Sequence, residues 1–147
     1  MKPILLIISL FLYNCTVGQT ISFKMVKHWK LYDIASGNLF QYTIDTLKKF
    51  AYYDLDDDTM HEYLAEVSEL PSNDPPRWMG AHIATYEING ATKKIEISLY
   101  GGFFYDESSK RHYQLPDNKI DDWLSYIRRS FMTIHKESSD SKIISGK

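Results

Sequence analysis

The chain has 147 residues, of which 44% are hydrophobic and 24% charged, and its formal net charge is -2. This composition excludes a disordered chain, a coiled coil and a protein with several membrane spans. The slight acidic excess leaves no basic surplus for phosphate contacts, so no nucleic-acid partner is expected. Aromatic residues are frequent, at 14%, and therefore have to be considered as a recognition surface as well as a core.

The N-terminal segment is typical of a secretory signal peptide. Lys2 supplies a positive charge, and residues 4–13 are mainly apolar. Ten helical residues span about 15 Å, half of a hydrocarbon core of about 30 Å, so this segment is too short for a stable membrane anchor. The pattern predicts export to the periplasm, the cell envelope or the extracellular space, with residues 1–18 as the signal peptide.

The signal peptide has two candidate cleavage sites, and the choice between them determines whether Cys15, the single cysteine, stays in the mature chain. Cleavage after Gly18 places small Gly18 and Thr16 where signal peptidase prefers small residues, and it leaves a mature chain without cysteine. Alternatively, residues 12–15 resemble a bacterial lipoprotein box, in which Cys15 would become the lipidated first residue. We favour the first site; a lipid on Cys15, which requires the second site, is the only membrane attachment that the sequence suggests.

No repeat or low-complexity linker divides the rest of the chain. We therefore expect one domain over residues 19–136 and a flexible tail over residues 137–147. Within the domain, residues 29–34 predict a strand, and residues 38–51 fit either a strand or a helix. We favour a hairpin that turns at Ser36-Gly37, followed by a short helix at about residues 44–52.

Two later segments have the apolar periodicity of helices. The first covers residues 59–70, with Thr59 and Glu62 as a capping box and Pro71 at its end. The second covers residues 118–136, with Asp117 as its N-cap. The apolar stripes are Met60, Tyr63, Leu64, Val67 and Leu70 in the first, and Ile120, Trp123, Leu124, Ile127, Phe131 and Ile134 in the second.

The strongest strand signal lies around Asn89-Gly90, a pair that favours a two-residue hairpin turn because both positions need positive φ. This turn places His82 opposite Ile97 on an apolar face of the hairpin, whereas the other face is mostly polar and is predicted to be solvated. A second hairpin is predicted from residues 103–105 and 111–115. The expected fold is α+β, an antiparallel β-sheet of about four to six strands with two or three helices packed on one face.

Two motifs resemble metal sites but are incomplete. His61-Glu62 begins the zinc pattern H-E-x-x-H, but Ala65 occupies the position of the second histidine. Residues 54–58 resemble the start of an EF-hand loop, but Thr59 replaces the required glycine and Ala65 the bidentate glutamate. We interpret residues 54–58 as an acidic loop before a helix N-terminus. No metal and no cofactor is expected.

Glu87 and Glu96 lie on the polar face of the predicted hairpin, as two acids of a glycosidase would need to do. The register separates them by about 13 Å along the strand. Glycosidase carboxylates lie about 5–9.5 Å apart, so this pair is too wide for that chemistry. A solvated strand face is the better interpretation of both residues.

His82 is a weak candidate for a catalytic residue, since it stands on the apolar face between the small residues Gly80 and Ala84. A core histidine is the simpler interpretation, because no second catalytic group accompanies it in the sequence. Weak candidates for ligand binding are aromatic residues that the stripes do not assign to the core. They are Trp29, Trp78, Tyr86 and Tyr100.

Two classes of function remain. The first is a small non-enzymatic binding or interaction module whose ligand is a protein, a small molecule or a glycan. The second is a small hydrolase with a pocket around His82. A carboxylate or hydroxyl within hydrogen-bond reach of His82 in an open cleft would favour the hydrolase. A helix covering His82 would favour the binding module.

Overall fold

The computed structural model describes residues 23–36, 42–73, 76 and 80–144. It confirms the predicted α+β class, with one antiparallel sheet that has seven strands within these residues, slightly more than expected. The spatial order is β2-β1-β4-β5-β6-β7-β3. The strands are β1 (Lys27–Ser36), β2 (Tyr52–Asp54), β3 (Ser68–Glu69), β4 (Ala81–Ile88), β5 (Ala91–Ser98), β6 (Phe103–Asp106) and β7 (Arg111–Gln114), and the helices are α1 (Ile44–Leu47), α2 (Asp57–Leu64) and α3 (Asp117–Ile144).

The predicted hairpin is confirmed in turn and register. Asn89 and Gly90 have φ values of 51° and 75°, the positive values that this turn requires. His82 on β4 pairs with Ile97 on β5, and Ala84 pairs with Ile95. The second predicted hairpin is also present, as β6 and β7.

The two faces of the sheet are covered by different helices. The first face carries His82, Ala84 and Tyr86 of β4, and α2 and α3 pack against it around fully buried Trp123. The second face carries the residues between these, and Ile83 lies there in a smaller cluster with Leu47 of α1. The single-turn helix α1 therefore lies on the opposite side of the sheet from the two longer helices.

The second face is not solvated, and this corrects the sequence expectation. Lys94, Glu96 and Ser98 of β5 are each 3% exposed. The Lys94 ammonium donates to the backbone carbonyl of Tyr42 at 2.7 Å and pairs with the Glu107 carboxylate at 3.1 Å. Segments that cover this face lie far from β5 in the sequence, so alternation along the strand could not reveal them.

The helix predicted over residues 59–70 begins earlier and ends earlier than expected. Asp56 is its N-cap, because its carboxylate accepts a hydrogen bond from the Thr59 backbone N–H at 2.8 Å. Helix α2 ends at Leu64, and Ser68–Glu69 forms the edge strand β3 beside β7. The Leu70 N–H donates to the carbonyl of His112 at 2.8 Å. Hydrogen bonds to the sheet thus replace the last predicted turns of helix.

The ambiguous region before α2 is part helix and part strand. Thr43 caps α1 at Ile44–Leu47, so the short helix is confirmed near its predicted start. The antiparallel neighbour of β1 on this side is β2 at Tyr52–Asp54, which lies beyond the segment predicted to pair with it. The predicted turn at Ser36-Gly37 and residues 38–41 lie outside the described residues, apart from Ser36 itself.

The C-terminal helix is confirmed and is longer than predicted. Helix α3 begins at Asp117 and continues to Ile144, so helical backbone occupies most of the segment expected to be a tail. Trp123, Ile127 and Ile134 of its apolar stripe are buried against the first face. Even this helix lacks the apolar length needed to cross a bilayer, as do the other helices of the described residues.

Candidate functional site

His82 lies in a covered position and not in a cleft. Its side chain is 6% exposed, and its ring centroid is 4.4 Å from that of Phe131 on α3. Its Nδ1 atom has no hydrogen-bond partner among the described residues. Burial, with added repulsion from Arg128, lowers the pKa of His82 to about 4, so the ring is neutral near pH 7. Within the described residues, His82 therefore does not stand in an open cleft, which is the arrangement that would have favoured a hydrolase.

The aromatic candidates occupy very different environments. Trp29 and Tyr86 are fully buried and pack together with ring centroids 5.1 Å apart. The Tyr86 hydroxyl donates to the buried Asp106 carboxylate at 2.7 Å, and burial and that carboxylate raise the pKa of Tyr86 well above its usual value. Tyr100 is 59% exposed. Trp78 lies outside the described residues.

Several residues of the incomplete metal motifs have structural partners. His61 Nε2 lies 2.5 Å from the backbone carbonyl oxygen of Val26. Asp56, from the loop resembling an EF-hand, caps α2. No group of three or more histidine, cysteine, aspartate or glutamate side chains is arranged to hold a metal ion in the described ranges.

An open cleft of about 500 Å³ lies where β1, β2 and the start of α2 meet α3, and we call it the acidic cleft. Its lining includes aromatic and acidic residues. The residues are His28, Trp29, Tyr53, Asp54, Leu55, Asp56, Asp57 and Tyr126. Of the sequence candidates for ligand binding, Trp29 alone is among these residues.

A bulge in β1 forms one wall of the acidic cleft. His28 has a φ of 56°, and the register between β1 and β4 shifts between Lys27 and Lys30. The shift frees two backbone N–H groups, and the Asp57 carboxylate accepts both, from His28 at 3.0 Å and from Trp29 at 3.3 Å. Asp57 thus ties the start of α2 to the bulge, and bulges of this kind often adjoin functional sites.

Tyr126 of α3 closes the opposite wall. Its hydroxyl oxygen accepts a hydrogen bond from the Asp56 backbone N–H at 3.2 Å, so the hydroxyl proton is available to a further acceptor. The ring stacks on that of Tyr63 with centroids 5.9 Å apart. Burial raises the pKa of Tyr126, which keeps the hydroxyl protonated at neutral pH.

The carboxylates of the cleft differ in how far the fold already uses them. Asp57 accepts from the bulge, and Asp56 accepts from Thr59, whose hydroxyl and backbone N–H lower the pKa of Asp56. Asp54 is exposed at the end of β2, opposite Lys30 in the sheet register. Because Tyr53 pairs with Leu31 in the same register, the Asp54 side chain lies on the other side of β2 from the Tyr53 ring.

Comparison with known proteins identifies no relative: no family model, curated protein or solved structure matches the chain.

Proposed function

We propose that this chain is a small exported binding module without catalytic activity, and that its ligand occupies the acidic cleft. The observation that carries the proposal is the cleft itself, about 500 Å³ in volume and lined by Trp29, Tyr53 and Tyr126. Ligand sites commonly have volumes of about 300–1,000 Å³, with apolar or aromatic walls and a few polar groups that orient the ligand.

The bonding of the cleft carboxylates supports binding over acid–base catalysis. Asp57 is occupied by two backbone N–H groups, and Asp56 is a helix cap with a lowered pKa. A general acid or base near neutral pH needs a pKa shifted toward 7 and a proton within reach. These two aspartates hold the walls of the cleft in place, and His82 is covered by α3.

Binding in the cleft can be tested by NMR with the purified protein and a library of amines, sugars and short peptides. Ligands should perturb the backbone amides of Tyr53, Asp54 and Tyr126, and Tyr53→Ala should weaken their binding. Tyr100→Ala is the matched control, because Tyr100 is exposed and does not line the cleft. Ligands that bind in the library screen but perturb only amides elsewhere would refute the location of the site.

The alternative hydrolase is tested in the same preparations. Wild-type protein and His82→Ala are assayed on ester, peptide and glycoside substrates, with circular dichroism to confirm that the variant is folded. Turnover that disappears in folded His82→Ala would replace the binding module with an enzyme. We expect no turnover in either protein.

Export is part of the proposal and depends on the N-terminal sequence pattern. The intact mass of the protein from the envelope fraction should show loss of at least residues 1–14. A mass increased by acyl chains on Cys15 would show lipid anchoring, whereas retention of Met1 would refute processing.

A further inference from the structure

We propose that the ligand of this chain is an extended peptide with a basic residue, which adds to the open edge of β2 as a further strand beside the acidic cleft. This inference rests on the proposed function and names the chemical class of its ligand. Three features of the structure lead to it: the unpaired backbone groups of β2, the position of the cleft along this strand and the charge at the end of the strand.

The hydrogen bonds between β1 and β2 determine which backbone groups of β2 face outward. β2 is an outer strand of the described sheet, with β1 as its neighbour. The Ala51 carbonyl accepts a hydrogen bond from β1 at 2.9 Å, and the Leu55 N–H donates one to β1 at 2.9 Å. In an antiparallel pair, the backbone groups of successive residues alternate between facing the partner strand and facing away from it. The N–H and C=O groups of Tyr52 and Asp54 therefore point away from β1, toward the open edge.

The outward groups before and after these two residues are already bonded. The Phe50 N–H bonds within the turn after α1 at 3.0 Å, and the Asp56 N–H donates to the Tyr126 hydroxyl at 3.2 Å. Between them, the outward groups of Tyr52 and Asp54 have no partner among the described residues, and both residues are exposed. An extended peptide can bond to all of these groups by adding to the edge as a strand.

The acidic cleft is placed to receive one side chain of the added strand. Residues that lie directly opposite each other on neighbouring strands have their side chains on the same face of the sheet. Tyr53 lies on the first face, where it packs against the core, and it lines the cleft together with Tyr126 of α3. A peptide residue opposite Tyr53 therefore points into the cleft, whose volume of about 500 Å³ accepts a large apolar side chain.

The charge at the end of β2 favours a basic residue on the other face of the added strand. Asp54 is exposed, residues 56–58 are all aspartate, and no lysine or arginine is among the described residues that line the cleft. Lys30 lies opposite Asp54 on β1, but its ammonium is placed over the Tyr52 ring, 4.3 Å from the ring centre. An arginine or lysine opposite Asp54 on the added strand would lie on the same face as this carboxylate and attract it.

The test uses acetylated hexapeptide amides whose third residue is arginine or uncharged citrulline and whose other positions vary among threonine, valine and phenylalanine. In an antiparallel added strand the third residue lies opposite Asp54, the fourth opposite Tyr53 and the fifth opposite Tyr52. We expect the arginine peptides to bind the full-length chain about three- to tenfold more tightly than the citrulline peptides in NMR titrations. At saturation, hydrogen exchange of the Tyr52 and Asp54 backbone amides should slow about tenfold or more, because these N–H groups become bonded.

N-methylated peptides separate strand addition from other modes of binding. Methyl groups on the backbone nitrogens of the third and fifth peptide residues remove the N–H groups that face β2, and they should weaken binding at least about tenfold. Methylation of the fourth residue, whose N–H faces away from β2, is the matched control and should have little effect.

Matched protein variants test the role of charge. Asp54→Asn should abolish the preference for arginine over citrulline, since the carboxylate opposite the third peptide residue is lost. Asp121→Asn makes the same chemical change at an exposed residue of α3 that does not line the cleft, and it should leave the preference unchanged.

The possible failures are distinguishable. No peptide binding at millimolar concentration, equal affinity for arginine and citrulline peptides, equal effects of the two methylation patterns, or unchanged exchange at Tyr52 and Asp54 would overturn the inference. A dimer that protects these two amides without peptide would also overturn it, because a second copy of the chain would then occupy the edge. If other ligands perturb the Tyr53 and Tyr126 amides, the cleft remains a binding site and the proposed function stands. If library ligands perturb amides only elsewhere, both proposals fail.

Discussion

Replacement of Glu96 by glutamine should change how the stability of this protein depends on pH. Glu96 lies on the second face of the sheet at 3% exposure, between Ile83 on β4 and Tyr105 on β6. Burial raises the pKa of Glu96 from 4.5 to about 7, although attraction by Lys94 opposes the rise. The unfolded chain therefore loses this proton at a lower pH than the folded chain does.

The sign and size of the effect follow from proton linkage. Between about pH 4.5 and pH 7 the folded chain holds a proton at Glu96 that the unfolded chain has lost, so the contribution of Glu96 to the free energy of unfolding falls as pH rises. At about 1.4 kcal/mol per pKa unit, the shift from 4.5 to about 7 corresponds to at most about 3 kcal/mol. This stabilisation is complete below about pH 4.5 and is lost above about pH 7.

Glu96→Gln keeps the shape of the side chain and removes its titration. We expect the variant to exceed wild type in stability by about 1–3 kcal/mol at about pH 8 and to have no advantage at about pH 4.5. Urea denaturation followed by the fluorescence of buried Trp29 and Trp123 measures both proteins across this range. The difference between them isolates Glu96, because the other groups titrate in both.

Glu87→Gln is the matched control, since Glu87 is a less buried glutamate on the neighbouring strand. We expect its stability to follow the pH dependence of wild type. If the curves for Glu96→Gln and wild type run parallel from about pH 4.5 to pH 8, the Glu96 carboxyl does not titrate as a buried group, and the argument from burial fails.

Three further predictions concern the first face and the hairpin. Ile97→Ala should lower the free energy of unfolding by about 2–5 kcal/mol, because it leaves a cavity at a fully buried position; a cost below 1 kcal/mol would contradict that burial. Gly90→Val should cost more than about 1 kcal/mol from strain at φ 75° alone, since no atom lies within 4 Å of a new Cβ, whereas Gly90→Asn should cost less. His82, with its pKa lowered from 6.5 to about 4, should contribute a loss of up to about 3 kcal/mol as pH falls from about 6.5 to 4, because the unfolded chain takes up the proton first; this contribution opposes that of Glu96 over the same range. His82→Leu should remove this loss in the same urea assay, and an unchanged slope would refute it.

Much of the fold was predictable because its signals are local. The turn at Asn89-Gly90 needs positive φ at both positions, and the alternation on each side then sets the register of β4 against β5. The apolar stripe of α3 repeats with the period of a helix and identifies Trp123 and Ile127 as buried. These properties depend on neighbours within a few residues along the chain.

The start and end of α2 show where local signals were insufficient. Thr59 and Asp56 both suit a cap, and the structure uses Asp56, with Thr59 as its bonding partner. The spacing of Val67 and Leu70 continues the helical stripe, yet the chain leaves the helix and bonds to β7. A pairing partner more than forty residues away decided between two local conformations.

The sequence by itself determined the α+β class, the central hairpin and the long C-terminal helix, because turn chemistry and periodicity are properties of short segments. Only the tertiary structure decided that Glu96 is buried, that α3 is the helix covering His82 and that an acidic cleft exists. Asp57 meets the β1 bulge 28 residues away, and the Asp56 N–H meets Tyr126 across 70 residues. Contacts over such separations come from the packing of whole elements, so they cannot be predicted from composition and spacing along the chain.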